Sequence, residues 1–239
     1  MSNYQGIVLS SKEYKENDKL ITCLVRDLGK INIIIENSND SSTNFALSEP
    51  LCLIDFSARK MSNSDCLYYI YQSRLKDAYK EVRNSQVKLA YAIYFLNLVA
   101  SLIDYCEVEQ KVFDYTKQYL NLNKVVDESE IGLYTTIMSI RLLAILGLGA
   151  MPKWCFMCDE EHQEFIYITE SGLSLCKSCV DDKYHVKIAK DRWRSFAESE
   201  MTELIDMDFS KEELTAIELY IKGIVGKDIK GYKYLNLIR

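Results

Sequence analysis

Two knuckles dominate the chemistry available to this chain: Cys155-Phe156-Met157-Cys158 and Cys176-Lys177-Ser178-Cys179, with 17 residues between them. A C-x-x-C turn lets two thiolates reach one ion, and two such turns complete a tetrahedron. The spacing predicts one structural Zn2+ held by Cys155, Cys158, Cys176 and Cys179. A closed tetrahedron has no position for an activated water, so the metal argues for architecture. A thioredoxin-like redox motif needs only one knuckle, and iron–sulfur clusters usually take other spacings. His162 and His185 lie near the knuckles, but four thiolates already satisfy zinc. Both are expected at the surface.

No other cluster promises catalysis. There is no glycine-rich phosphate loop, and neither of the two histidines has a nucleophile nearby in sequence. Glu160-Glu161 and Asp181-Asp182 are adjacent pairs, a pattern of solvated charge rather than of acid–base work. The expectation is a binding or assembly protein, not an enzyme.

The elements that must position the knuckles follow from periodicity. The 239 residues include only two prolines and are 48% apolar, as an ordered globular chain requires. Residues 1–78 read as five short strands: Gln5–Ser10, Lys19–Arg26, Ile31–Ile35, Leu51–Arg59 and Cys66–Gln72. Five strands suit an OB-type barrel, with an SH3-like barrel as competitor. Glu36 to Asn44 has no apolar residue and reads as a polar loop. From Tyr79 the period becomes helical, with Val87, Ala90, Tyr91, Tyr94, Phe95, Leu98, Val99 and Leu102 on one face. Residues 79–150 form the first part of a helical domain, 151–186 a zinc ribbon containing strand Phe165–Ile168, and 187–239 the second helical part. The fold class is α+β: an OB-type barrel followed by an all-α domain with an inserted ribbon.

The N-terminus lacks a signal-peptide layout, and the run Leu142 to Pro152 is too short to span a bilayer. Cytoplasmic residence is expected, with Cys23, Cys52, Cys66 and Cys106 reduced and no membrane partner. The net charge of −6 excludes a surface that attracts nucleic acid everywhere, but not a local basic face.

The order barrel, helices, ribbon, helices resembles the RecO family of bacterial recombination mediators. The likeness runs through Gly6-Ile7-Val8-Leu9, Tyr14 to Leu20, Leu28-Gly29-Lys30, Leu47 to Pro50 and the helix at Ala90-Tyr91. The paired knuckles match the zinc-bearing branch of that family. The resemblance implies binding of single- and double-stranded DNA, strand annealing, work with RecR, contact with the C-terminal tail of single-strand-binding protein, and recombinase loading on gaps. It implies a bacterial cytoplasmic protein found at the nucleoid when active.

One departure matters. RecO relatives often carry a basic stretch after the third strand, whereas the loop here holds Glu36 and Asp40 and no Lys or Arg. Over residues 1–80, ten Lys/Arg balance ten Asp/Glu. The DNA-binding candidates are therefore Lys12, Lys15, Lys19, Arg26, Lys30, Arg59, Lys60, Arg74 and Lys76. Tyr4, Tyr14, Tyr68, Tyr69 and Tyr71 are candidates to stack bases, with core packing expected for at least half. Lys187, Lys190, Arg192 and Arg194 beside Trp193 and Phe196 are candidates for the acidic tail of single-strand-binding protein. The competing reading makes Trp193 and Phe196 ordinary core residues. A zinc-ribbon assembly protein with little direct DNA affinity is the alternative function.

Overall fold

The computed structural model describes residues 3–36, 46–61, 66–181, 185–199, 203–204 and 207–226. They divide into two units, one up to Ile131 and one from Gly132. Most of the polar loop after Glu36, and the end of the chain beyond Gly226, lie outside the described residues.

In the first unit, β1 (Asn3–Tyr14), β2 (Asp18–Val25), β3 (Gly29–Ile35), β4 (Leu53–Lys60) and β5 (Leu67–Asp77) close a barrel in the order β1-β2-β3-β5-β4. All neighbours are antiparallel except β3 and β5. That parallel closure gives the OB-type arrangement. Alternation along the strands fills the barrel with Val8, Ile21, Cys23, Ile31, Ile33, Ile54, Phe56 and Tyr68. The strands outrun the sequence expectation because cross-strand pairing holds polar ends such as Lys12 to Tyr14 extended.

Three helices follow: α1 (Lys80–Arg83), α2 (Gln86–Leu102) and α3 (Gln110–Val125). Ser85 caps α2 by accepting the Lys88 N–H. The Tyr119 ring stacks on Phe95 with centroids 3.9 Å apart, joining α3 to α2. Gly29 takes φ +73°, and a Cβ there would sit 1.9 Å from the Glu107 carbonyl oxygen, so only glycine lets this turn meet the α2–α3 connection.

One expectation fails here. Cys66 and Cys106 are joined as a disulfide. The Asn32 N–H donates to the Cys66 carbonyl, and the Cys106 N–H donates to the Lys30 carbonyl. Both cysteines are thus pinned to the same stretch of β3, which their separation of 40 residues conceals in the sequence.

The second unit contains α4 (Ile131–Ile145), β6 (Phe165–Thr169), β7 (Ser174–Leu175), β8 (His185–Ala189), α5 (Lys190–Glu198) and α6 (Lys211–Val225). The strands form one antiparallel sheet in the order β7-β6-β8. Its inner residues Ile166, Ile168 and Ile188 are buried, and β6 and β8 pack on α6. Contact is close where the Gly172 turn meets Gly223: a Cβ on Gly172 would lie 2.6 Å from the Gly223 Cα. A capping box at Ser210 and Glu213 starts α6, and Gly226 ends it in the left-handed region. Among the described residues no helix is long and apolar enough to cross a membrane.

Candidate metal centre and nucleic-acid interface

The first knuckle is fixed by backbone bonds. The Cys155 N–H donates to the Glu160 carbonyl at 2.8 Å, and the Asp159 N–H donates back to the Cys155 carbonyl at 3.0 Å. Asp159 takes φ 56°, which turns the chain tightly enough for both sulfurs to face inward. The Phe156 N–H donates to the Ser174 carbonyl and ties this knuckle to β7. In the second knuckle the N–H groups of Cys179 and Val180 both donate to the Cys176 carbonyl.

These turns bring the four sulfurs within 4.8 Å of one another, a group able to hold a metal ion. The geometry can be tested against a specific ion. A tetrahedron with zinc–sulfur bonds of about 2.3 Å has edges of about 3.8 Å. The Cys158 and Cys176 sulfurs are 3.7 Å apart. Burial raises the Cys155 thiol, but N–H donors from Cys176, Cys158 and Met157 outweigh it and bring the thiol down to about 6. Contacts with the Cys158 and Cys176 thiols push Cys179 up to about 12. Four thiols this close resist ionising together unless a cation shares the site.

His162 corrects the sequence expectation, because it is fully buried. The bridge between Trp154 and Glu161 and the bond from the His162 N–H to the Lys153 carbonyl draw it inward. Burial lowers its basicity. His185 is partly exposed, with its ring edge-on to Tyr167.

On the barrel, register decides which candidates share a face. Arg59 lies opposite Tyr69, Tyr69 opposite Ile34, Ile34 opposite Leu20, and Leu20 opposite Lys12. This row runs across all five strands, with exposed Arg59 and Lys12 at its ends and Ile34, 3% exposed, at its centre. Tyr14 and Asp18, themselves paired, lie two residues along. The Arg59 guanidinium is 5.9 Å from the Tyr69 ring and 5.6 Å from the Tyr71 ring, and the Lys15 ammonium is 5.4 Å from the Tyr14 ring. The wall thus interleaves exposed cations with aromatic faces, a surface suited to phosphates and stacked bases. It also carries acid. The Tyr69 hydroxyl donates to Glu36 at 2.6 Å, which pushes the phenol up to about 12.

Other candidates lie elsewhere. Lys19 is 5% exposed and paired with Glu49. Lys30 is 7% exposed; its ammonium donates to the Ala100 and Ile103 carbonyls and lies 4.5 Å from the Tyr105 ring. Both cations are committed to internal partners, 30 and 70 or more residues away in the chain, which no local pattern reveals. Arg26 pairs with Asp114 and Lys76 with Asp55, while Arg74 lies opposite Asp55. Lys60 is exposed at the end of β4. Tyr4 packs against Phe56, and Tyr68 is in the barrel core, leaving Tyr14, Tyr69 and Tyr71 facing outward.

Of the tail-binding candidates, Trp193 and Phe196 are fully buried. The Trp193 indole N–H donates to the Ala150 carbonyl. Arg192 grips Glu213 with two nitrogens, and Lys190 donates to Glu161 and to the His162 carbonyl. Arg194 pairs with Asp191, and Lys187 lies over the Phe165 ring.

Comparison with known proteins agrees with this architecture. Residues 1–79 match the family described as recombination protein O N terminal, and residues 83–220 match recombination protein O C terminal. DNA repair protein RecO of Bacillus subtilis is 24% identical over 248 residues, covering 99% of this chain and 94% of that protein. Its namesake from Clostridium kluyveri is 28% identical over 179 residues, covering 73% and 67%. That of Listeria monocytogenes serotype 4b is 24% identical over 245 residues, covering 99% and 94%. With both family regions matched in order across a closed five-stranded barrel and a four-cysteine ribbon, the chain belongs to the recombination protein O family.

Proposed function

We propose that this protein is a non-catalytic mediator of DNA repair and recombination. It binds single- and double-stranded DNA through the outer barrel wall and anneals complementary strands. With RecR it helps to load recombinase on gaps coated by single-strand-binding protein. Family membership supports the role, and the row from Arg59 through Tyr69 to Lys12 is the observation that carries the DNA contact. Cations on such a wall take phosphates irrespective of sequence, and aromatic faces accept any base.

The wall is sparsely charged and shares its space with Asp18 and Glu36. Direct affinity is therefore modest, and tethering to partner proteins raises the effective concentration at DNA without new phosphate contacts. RecR is one tether, and the tail of single-strand-binding protein is the other. On this reading Arg194 is the accessible cation of the proposed tail site, since Trp193 and Phe196 are in the core and the Lys187 ammonium lies over the Phe165 ring. The ion in the ribbon is zinc, with a purely structural role. The protein acts in the bacterial cytoplasm, on the nucleoid.

Annealing measured at physiological salt tests the proposal: the protein alone, then with RecR, then on strands coated with single-strand-binding protein. Slow annealing alone and faster annealing with either partner is expected. Full-rate annealing unaffected by either partner contradicts the tethering reading, and no annealing in any arm contradicts the mediator reading.

A further inference from the structure

The sheet of the ribbon has two faces, and among the described residues one is buried while the other is half-buried or exposed. Ile166, Ile168 and Ile188 point inward, so alternation turns Phe165, Tyr167 and Lys187 outward, with Lys187 opposite Tyr167. This outward face is the floor of a hollow of about 960 Å³ whose wall includes Trp154 from the first knuckle. That volume is at the upper end of the roughly 300–1,000 Å³ usual for ligand clefts. Trp154 is 57% exposed, a large apolar area at the wall of the hollow.

Charge identifies the occupant. Asp159, Glu160, Glu161 and Glu164 line the hollow, against Lys177 and Lys187. Glu161 is held by Lys190. Asp159, Glu160 and Glu164 make no ion pair among the described residues. Aromatic faces beside carboxylates form an environment for a guanidinium or ammonium group, which gains both from the ring quadrupole and from the acid. The molecule already shows the first of these: the Lys187 ammonium lies 5.3 Å from the centroid of Phe165. With Glu161 held by Lys190, the remaining three carboxylates outnumber Lys177 and Lys187, so the hollow favours a cationic occupant over phosphates and acidic peptides.

We propose that the outer face of the ribbon is a docking site for an arginine- or lysine-rich extended segment of a partner protein. Trp154 and Tyr167 receive the cationic side chains on their ring faces, and Asp159, Glu160 and Glu164 neutralise them. The site differs from the barrel wall in chemistry and belongs to the other unit of the chain.

The test uses the full-length, zinc-loaded protein and fluorescence anisotropy of three labelled probes of equal length: oligo-arginine, oligo-glutamate and oligothymidine. Oligo-arginine is expected to bind. Binding should weaken about tenfold when Asp159→Asn, Glu160→Gln and Glu164→Gln are combined, and about threefold with Trp154→Ala. A variant with the same net charge, combining Glu81→Gln, Glu128→Gln and Glu198→Gln, should bind like the wild type. These changes keep all four cysteines and the backbone bonds of the first knuckle, and because Trp154, Asp159 and Glu160 flank Cys155 and Cys158, equal zinc content is required to show an intact ribbon. Equal weakening by both triple variants would reduce the effect to overall charge and overturn the proposal. Oligothymidine binding that is lost with Trp154→Ala would overturn it in favour of a nucleic-acid surface.

Discussion

Replacing Cys176 with serine removes one corner of the sulfur tetrahedron without changing the size of the side chain. With zinc as the ion proposed for these four thiolates, binding is coupled to folding by about 10–16 kcal/mol. Whole domains are stable by only about 5–15 kcal/mol, so the ribbon cannot hold its sheet once the ion is lost. The consequence extends to the neighbouring helix. Ile166, Ile168 and Ile188 are buried on the inner face of the sheet, which packs on α6. At about 1.5–3 kcal/mol for each buried side chain, exposing all three removes about 5–9 kcal/mol from that contact. For a unit of this size a loss on that scale lowers the melting temperature by more than about 20 °C. Metal content by atomic emission, melting by circular dichroism, and emission from the buried Trp193, read in a Trp154→Phe background, report the ion, the fold and the helical core separately. Cys176→Ser and strong chelation should both lower the melting point and shift Trp193 emission to the red. Protein purified without stoichiometric zinc, or a variant that melts like the wild type, would refute the argument.

Two further predictions follow from charged groups with defined partners. Lys30→Met keeps the aliphatic stem but leaves the Ala100 and Ile103 carbonyls without their donor; it should cost about 2–4 kcal/mol in denaturant titration and leave DNA affinity unchanged. Glu213 is held below the usual carboxylate range, chiefly by its hydrogen bond with Arg192. A lowered folded value stabilises the fold above the ordinary carboxylate range, of about 4.3, and that stability is lost as pH falls through the folded value. Wild type should therefore lose its advantage over Glu213→Gln on acidification, whereas a constant difference from neutral to acid pH would contradict the linkage.

The sequence carried the knuckles, the strand count and the helical stripes because each is a local pattern. Alternation in Phe165 to Ile168 identifies a strand, but not which face is covered until β8 and α6 are in place. Closure of the barrel is equally non-local: the parallel pairing of β3 with β5 decides between small barrels with the same number of strands. Lys19 and Lys30 have the composition of phosphate contacts, yet distant groups claim them: Glu49 for one, the end of α2 for the other. Cys66 and Cys106 become neighbours only because β3 receives a hydrogen bond from one side and donates one on the other. His162 is drawn inside by a bridge between Trp154 and Glu161 that no short motif announces. Tyr69 and Tyr71 were legible as aromatic candidates; their grouping with Arg59 required the register of β4 on β5.

The central claim is that DNA meets the outer wall of the barrel, and the salt dependence of binding measures it most directly. Lys12→Glu, Lys15→Glu and Arg59→Glu together remove the cations interleaved with Tyr14, Tyr69 and Tyr71. Each single-strand phosphate contact contributes about 0.7 to the slope of log affinity against log salt, so the triple variant should lose about 2 from that slope and bind oligothymidine far more weakly. Reversing Arg194, Lys211 and Lys222 in the second unit provides the comparison, with the slope expected to stay near that of wild type. A slope unchanged by the barrel variant, or lowered equally by both, would contradict the assignment and move the DNA site off the barrel.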